Sequence, residues 1–172
     1  MSDNCDPPDL AVAGAVVVVG DARTIEDAPA IDPARWEQLA SAVLADEAVV
    51  GELTLTFIDT IEMAALNEQY MGKVGPTDVL SFPMDDDPVP GVPTLLGDVV
   101  ISPSVASAQF ADHAGTLDDE IALLVVHGIL HVLGHDHADT DEAEVMRTRE
   151  LELLTAHHWC GPAPVGFRQT HE

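Results

Sequence analysis

The sequence predicts an α+β fold: a single domain in which a small mixed four-stranded sheet is packed with about five helices. Three observations carry this expectation. The 172 residues suffice for one domain with a real core and are too few for two large ones. Hydrophobic residues make up 47% and charged residues 22%, which excludes a disordered or low-complexity chain. The periodic segments follow the order β-α-β-α-β-β-α-α-α, with no internal repeat.

Ala15 to Val19 is Val-rich and reads as the first strand. Asp32-Pro33 opens a helix, with Asp as cap and Pro at the first position. Trp36, Leu39, Ala40, Val43 and Leu44 then recur at helical spacing until near Asp46. Leu53 to Ile58 alternates apolar residues with Thr, a second strand. A helix starts at Asp59 or Thr60, turns Ile61, Ala64, Ala65 and Leu66 inward, and ends near Gly72. After the loop Lys73 to Thr77 comes a short strand, Val79 to Phe82, stopped by Pro83. Asp85 to Gly91 is acidic and Pro-containing, and is expected to be exposed and mobile. Leu95 to Ile101 is the fourth strand, and a helix from Ser102 or Ser104 runs through His113. Thr116 and Asp119 form a capping-box pattern for the next helix, which stops at Gly134. The last helix spans Asp141 to about Ala156. Residues 1–14 are expected to be a flexible leader, 15–160 the domain and 161–172 a flexible tail.

Six Lys and Arg against 31 Asp and Glu give a net charge of −25. That excludes a non-specific nucleic-acid coat and a polybasic membrane binder. Any polyanion must be met locally, at a metal or a few placed cations. Solubility, or a salty cytoplasm, is sufficient to explain the acidity itself. Cys5 and Cys160 make neither a disulfide scaffold nor a four-thiolate zinc site. The apolar run Leu10 to Val19 is shorter than the roughly 20 residues that span a bilayer. Acids precede it where a secretory signal carries Lys or Arg, so the reading is a cytoplasmic protein.

Four of the eight histidines lie in eleven residues, His-Gly-Ile-Leu-His-Val-Leu-Gly-His-Asp-His, from His127 to His137. His127 and His131 are four apart, about 40° around a helix and about 6 Å along it, so one face presents two nitrogens to one ion. Position 137 on the same unbroken helix would sit about 240° around. The chain must bend first, and Gly134 is suited to that bend. His135 or His137 can then fold back. The spacing His, +4, +10 with Gly at +7 is the one zinc metzincins use, which favours His137. Three neutral imidazoles suit Zn²⁺, with nickel, copper or iron possible on ligand type. Three protein ligands leave a tetrahedral ion one open position, the pattern of a catalytic site. In His-Glu-x-x-His proteases the residue after the first His is the general-base Glu; here it is Gly128, which argues against peptide hydrolysis and lets another group approach the helix closely. Asp136 has three open readings: orienting a ligand imidazole, accepting a proton, or facing water.

The run His127-Gly128-Ile129-Leu130-His131-Val132-Leu133-Gly134-His135-Asp136-His137 resembles the signature of the YbeY family, bacterial metal-dependent endoribonucleases of ribosomal RNA maturation. Leu66-Asn67-Glu68-Gln69-Tyr70, Gly72-Lys73, Pro76-Thr77-Asp78-Val79-Leu80-Ser81-Phe82-Pro83 and Leu96-Gly97-Asp98-Val99-Val100-Ile101-Ser102-Pro103 resemble further family blocks, so the resemblance covers roughly residues 50 to 155. It implies one zinc ion held by His127, His131 and His137, at the end of a central helix. It implies cleavage of single-stranded ribosomal RNA, including processing of the 16S 3′ end, and ribosome quality control. It also implies work with the small ribosomal subunit and assembly factors; the charge and the short apolar run, for their part, lead to the expectation of neither DNA nor a membrane as partner.

Met71 departs from the family, whose members often carry Arg after the Tyr of the central block. An Arg there would clamp phosphate bidentately, and Met cannot. Lys73, the only lysine, is either a point charge for the scissile phosphate or a solvated loop residue. Lys73 and Asp136 are therefore the tentative catalytic residues, and no convincing general base stands out. Asp78 and Asp98 are expected to cap turns, and Tyr70 and Phe82 either pack or stack on a base. Arg147 and Arg149 are expected to pair with Glu144 and Glu150 on the helix surface. His113, His157, His158 and His171 lack metal spacing and are expected at the surface. Two rival readings are a zinc hydrolase of peptide or amide bonds and a non-catalytic ribosome-assembly factor with a structural zinc.

Overall fold

The computed structural model describes residues 15–24, 29–84, 89–92, 94–113 and 115–169. Its strands are β1 (Ala15–Asp21), β2 (Gly51–Phe57), β3 (Val79–Pro83) and β4 (Leu95–Ile101). Its helices are α1 (Pro33–Asp46), α2 (Thr60–Met71), α3 (Pro103–Gln109), α4 (Leu117–Val132) and α5 (Thr140–His157). This is the α+β domain expected, with its elements in the expected order. The leader at 1–14, residues 85–88 of the acidic excursion and His171 lie outside the described residues.

The sheet runs β1-β2-β4-β3. β1, β2 and β4 are parallel, and β3 closes the sheet as an antiparallel edge, with Val79 opposite Ile101 and Pro83 opposite Gly97. Gly97, at φ +152°, is needed there: a Cβ would lie 2.5 Å from the Phe82 carbonyl oxygen.

Alternation along the strands sends Leu53, Leu55, Phe57, Val99 and Ile101 to one face, where they meet Trp36, Leu39, Val43 and Leu44 of α1 and the apolar body of α4. A smaller core on the other face gathers Ile58, Met63, Leu80 and Val100, with Leu66 and Phe82 at its rim. Every residue of α4 from Asp119 to Leu130 is buried. A helix buried on all sides belongs at the centre, and α4 packs on β3 and β4 beside α1, with α5 against it. Its start is held by the expected capping box: the Thr116 N–H donates to Asp119 Oδ2 (2.9 Å), and the Asp119 N–H to Thr116 Oγ1 (3.1 Å).

Several local expectations are corrected. The inward face of α2 is Met63, Leu66 and Asn67, whereas Ile61 is 78% exposed. Asn67 turns in because its Nδ2 donates to the Gly75 carbonyl (2.8 Å), tying down the loop after the helix. α3 ends at Gln109 and tightens into a 3₁₀ turn, Phe110–His113. That turn carries His113 inward, where its Nδ1 meets Glu120 Oε2 at 2.6 Å, so His113 is buried. His158 is also withdrawn from the surface, on Asp119 Oδ1 at 2.8 Å. α5 begins one residue before Asp141, with Asp139 accepting from the Glu142 N–H (2.8 Å). Arg149 pairs with Asp46 and Glu47 at the end of α1 and with Glu152, not with Glu144 or Glu150. Cys160 is not a free thiol. Beyond α5 the Phe167 ring stands edge-on to Trp159 (4.9 Å between centroids), and the Arg168 N–H donates to the His113 carbonyl (3.1 Å). No helix among the described residues is long and apolar enough to cross a membrane.

Candidate metal centre

His127 and His131 leave α4 one turn apart, and their Nε2 atoms are 3.1 Å from each other. The helix stops immediately after. Leu133 is the cap, and Gly134 takes φ +101°. The Gly134 N–H then bonds the His131 carbonyl (3.0 Å) and the His135 N–H the Leu130 carbonyl (2.9 Å). Those two bonds make a Schellman motif, which reverses the chain at little steric cost because Gly134 lacks a Cβ.

The reversal brings back residue 137 rather than 135. One ring nitrogen each of His127, His131 and His137 lies within 4.8 Å of the others. Two nitrogens bonded to one tetrahedral zinc at about 2.0–2.1 Å stand about 3.3 Å apart. The donor set therefore fits a transition-metal ion with minor closure of His137. His135 contributes its backbone instead: its carbonyl accepts from His131 Nδ1 (2.9 Å). His127 Nδ1 meets Glu150 Oε1 of α5 at 3.2 Å. With both Nδ1–H groups so engaged, the lone pairs of Nε2 face the common centre. Burial, reinforced by the neighbouring His127 and His137 rings, pushes the His131 pKa down to about 4, so its imidazole is neutral near pH 7.

The centre opens into a cleft of about 400 Å³. Met71, Val79, Leu80 and Pro83 form its apolar wall, and Ser81 and Asp136 also line it. No Lys or Arg is among its described lining residues. Lys73 lies in the exposed loop two residues beyond Met71. Asp136 is exposed at the cleft, and its Oδ1 accepts the backbone N–H of His137 (2.7 Å), bracing the turn that returns the third imidazole. Asp78 lies apart, bonded to the Val79 N–H (2.8 Å) and to Gln109 Nε2 (2.8 Å), and Asp98 is exposed on β4. Tyr70 is 56% exposed and meets Phe82 edge-on, centroids 5.1 Å apart.

Gly128 has a steric reason. A Cβ there would lie 2.5 Å from Val99 Cγ1 and 3.3 Å from Ser81 Oγ, so the sheet fills the space a protease Glu would need. This is the close approach expected of a glycine at that place. Glu150 was not foreseen as a site residue. Its signal is faint: one acid within the buried stripe Ala143, Met146, Leu153 and Leu154 of α5.

Comparison with known proteins agrees with this geometry. The family model described as Endoribonuclease YbeY matches residues 23–158. A protein named Endoribonuclease YbeY from Acidothermus cellulolyticus is 46% identical over 139 residues, covering 73% of this chain and 84% of that one. Another of that name, from Mycolicibacterium gilvum, is 49% identical over 112 residues, 60% of this chain. The matched stretch spans only 62% of that relative's length. The solution structure of TM1509 from Thermotoga maritima superposes with a TM-score of 0.52 at 21% identity, covering 81% of this chain and 89% of that one, and so shares the fold.

Proposed function

Since the chain belongs to the YbeY family, we propose that it is a zinc-dependent endoribonuclease acting on single-stranded ribosomal RNA. Its tasks on this reading are ribosomal RNA maturation, including the 16S 3′ end, and ribosome quality control in the cytoplasm. The observation that carries the proposal is the convergence of three imidazole nitrogens within 4.8 Å at the mouth of a cleft. Three ligands leave an ion a side open to substrate, the arrangement of catalytic rather than structural sites.

Once bound, the ion supplies Lewis-acid polarisation of water or of a phosphoryl oxygen. The chain's own residues do the rest. His127 and His131 hold their nitrogens on a rigid helix, and His137 completes the set after the Gly134 reversal. Asp136 braces His137 and is the carboxylate at hand to accept a proton in the cleft. Lys73 offers a point charge beside the wall formed by Met71. The apolar walls limit water around the reacting phosphate.

The net charge of −25 and the absence of lining cations in the cleft argue that free RNA binds weakly. Recruitment by the small ribosomal subunit and its assembly factors supplies the missing affinity. The test is metal analysis of the purified protein together with cleavage of a single-stranded 16S fragment, wild type beside His131→Ala. A matched mock purification excludes contaminating nuclease. The expected result is about one zinc per chain and cleavage that the substitution abolishes. Equal cleavage by the variant, or a wild type without transition metal, overturns the proposal.

A further inference from the structure

Three carboxylates are buried among the described residues: Asp119, Glu120 and Glu150. The first two are fully engaged. Asp119 Oδ1 takes bonds from His158 and Trp159, both at 2.8 Å, and Oδ2 takes the Thr116 N–H. Glu120 Oε1 accepts from Gln109 (2.9 Å), and Oε2 meets His113 at 2.6 Å. Glu150 differs. It is 2% exposed, its Oε1 meets only the imidazole of His127, and its Oε2 has no hydrogen-bond partner.

A half-satisfied carboxylate inside an apolar helix face is a liability to the metal-free fold. An apolar residue at this position would continue the stripe of Ala143, Met146, Leu153 and Leu154 but give up the bond to His127, so it is that bond the acid serves. The geometry points to Glu150 as a positioning residue of the metal centre, reaching it through His127. The inference rests on the zinc-site reading above. Glu150 accepts the Nδ1–H of His127, which selects the tautomer with a free Nε2, fixes the ring plane and raises the basicity of that nitrogen. It also places a negative charge one imidazole away from a divalent cation, in a low-dielectric interior where such a charge acts strongly. Because Glu150 sits on α5 and His127 on α4, the bond also ties the two helices together at the ligand.

The experiment uses the full chain with Glu150→Gln and Glu150→Leu. Zinc affinity is measured by competition with a chromophoric chelator, and thermal unfolding is followed after complete chelation. Positioning gives opposite signs in the two readouts. Zinc affinity falls about 10- to 100-fold, while the metal-free Gln variant, whose amide oxygen can still accept from His127, melts at or above the wild-type temperature. The Gln variant keeps the shape and loses the charge and the forced tautomer, so it too loses about tenfold, and it decides the matter if the Leu variant does not fold. Zinc affinity of the Gln variant within threefold of wild type overturns the inference, as does a metal-free Leu variant that is clearly destabilised with its affinity intact. A wild-type chain that takes up no zinc overturns this inference and the zinc reading together; a wild type that binds zinc without cutting RNA leaves this inference standing and sinks only the nuclease.

Discussion

Ser81 on the edge strand donates its hydroxyl to the carbonyl of Gly128 at 3.0 Å, in the turn of α4 between His127 and His131. The edge strand and the ligand helix are therefore locked at the residue where a hydrolytic peptidase of similar spacing carries its general base. The lock depends on the missing Cβ, because Val99 occupies its place.

Gly128→Ala is the direct test of that contact. The methyl gains up to about 1 kcal/mol of helix propensity. It collides with a β-branched side chain in the sheet interior, and overpacking of this kind costs about 1–3 kcal/mol. The expected outcome is net destabilisation of about 1–2 kcal/mol by urea unfolding. Adding Val99→Ala should recover part of it, so the double-mutant cycle gives a coupling energy of at least about 0.5 kcal/mol. A purely additive pair refutes the contact.

The three histidines proposed as ligands should not be equivalent when removed. His137 is exposed on the returning turn, so His137→Ala should leave metal-free stability within about 0.5 kcal/mol of wild type. Metal affinity should nevertheless collapse. His127→Ala removes the only partner that a buried carboxylate has among the described residues and should cost the metal-free chain about 3 kcal/mol. Chemical denaturation of both variants in chelator separates the two effects; equal stability losses contradict the assignment.

Zinc binding should stabilise the wild type and spare His137→Ala. At a free ion concentration about 100-fold above the dissociation constant, one native-state site adds about 2.7 kcal/mol. Thermal unfolding with and without chelator reads this directly. A melting temperature indifferent to zinc in the wild type is the adverse result.

Acid should weaken the fold through the Asp119–His158 pair, with both groups acting in the same direction. Burial holds the His158 pKa below 6.5 despite the pull of Asp119. Below about pH 6.5 the unfolded chain therefore takes up a proton that the folded chain refuses, and stability falls as pH falls, by up to about 1.4 kcal/mol per unit. Burial would raise the Asp119 pKa, but bonds from Thr116, His158 and Trp159 outweigh it and hold it below 3.8. Its contribution is present above that value and is lost as pH falls through the folded pKa. In chelator, His158→Asn should flatten the slope between pH 6.5 and 5. An unchanged slope contradicts this account.

Met71→Arg should restore a phosphate clamp to a cleft wall that lacks one. Met71 is 54% exposed and lines the cleft, so a guanidinium can be accommodated without burial. The expected outcome is a KM for a single-stranded RNA fragment lowered about tenfold at low salt, with a salt slope steeper by about one. An effect on kcat alone, or none, contradicts it.

The convergence of the three imidazoles was legible in the sequence because its geometry is local. Four residues of helix bring His127 beside His131, and one glycine without a Cβ turns the chain so that His137 follows. The strands, the helix order and the capping box of Thr116 and Asp119 were legible for the same reason, since each depends on neighbours within a turn or a pleat. Burial and pairing across the chain were decided only by the tertiary structure. Glu150 stands 23 positions after His127 on another helix, and Arg149 finds Glu47 102 positions away. The burial of His113 and His158, and the reason for Gly128, depend in the same way on which surfaces the sheet and helices bring together. Periodicity marked the inward face of α1 but not that of α2, and it carries no information about what such a face will meet.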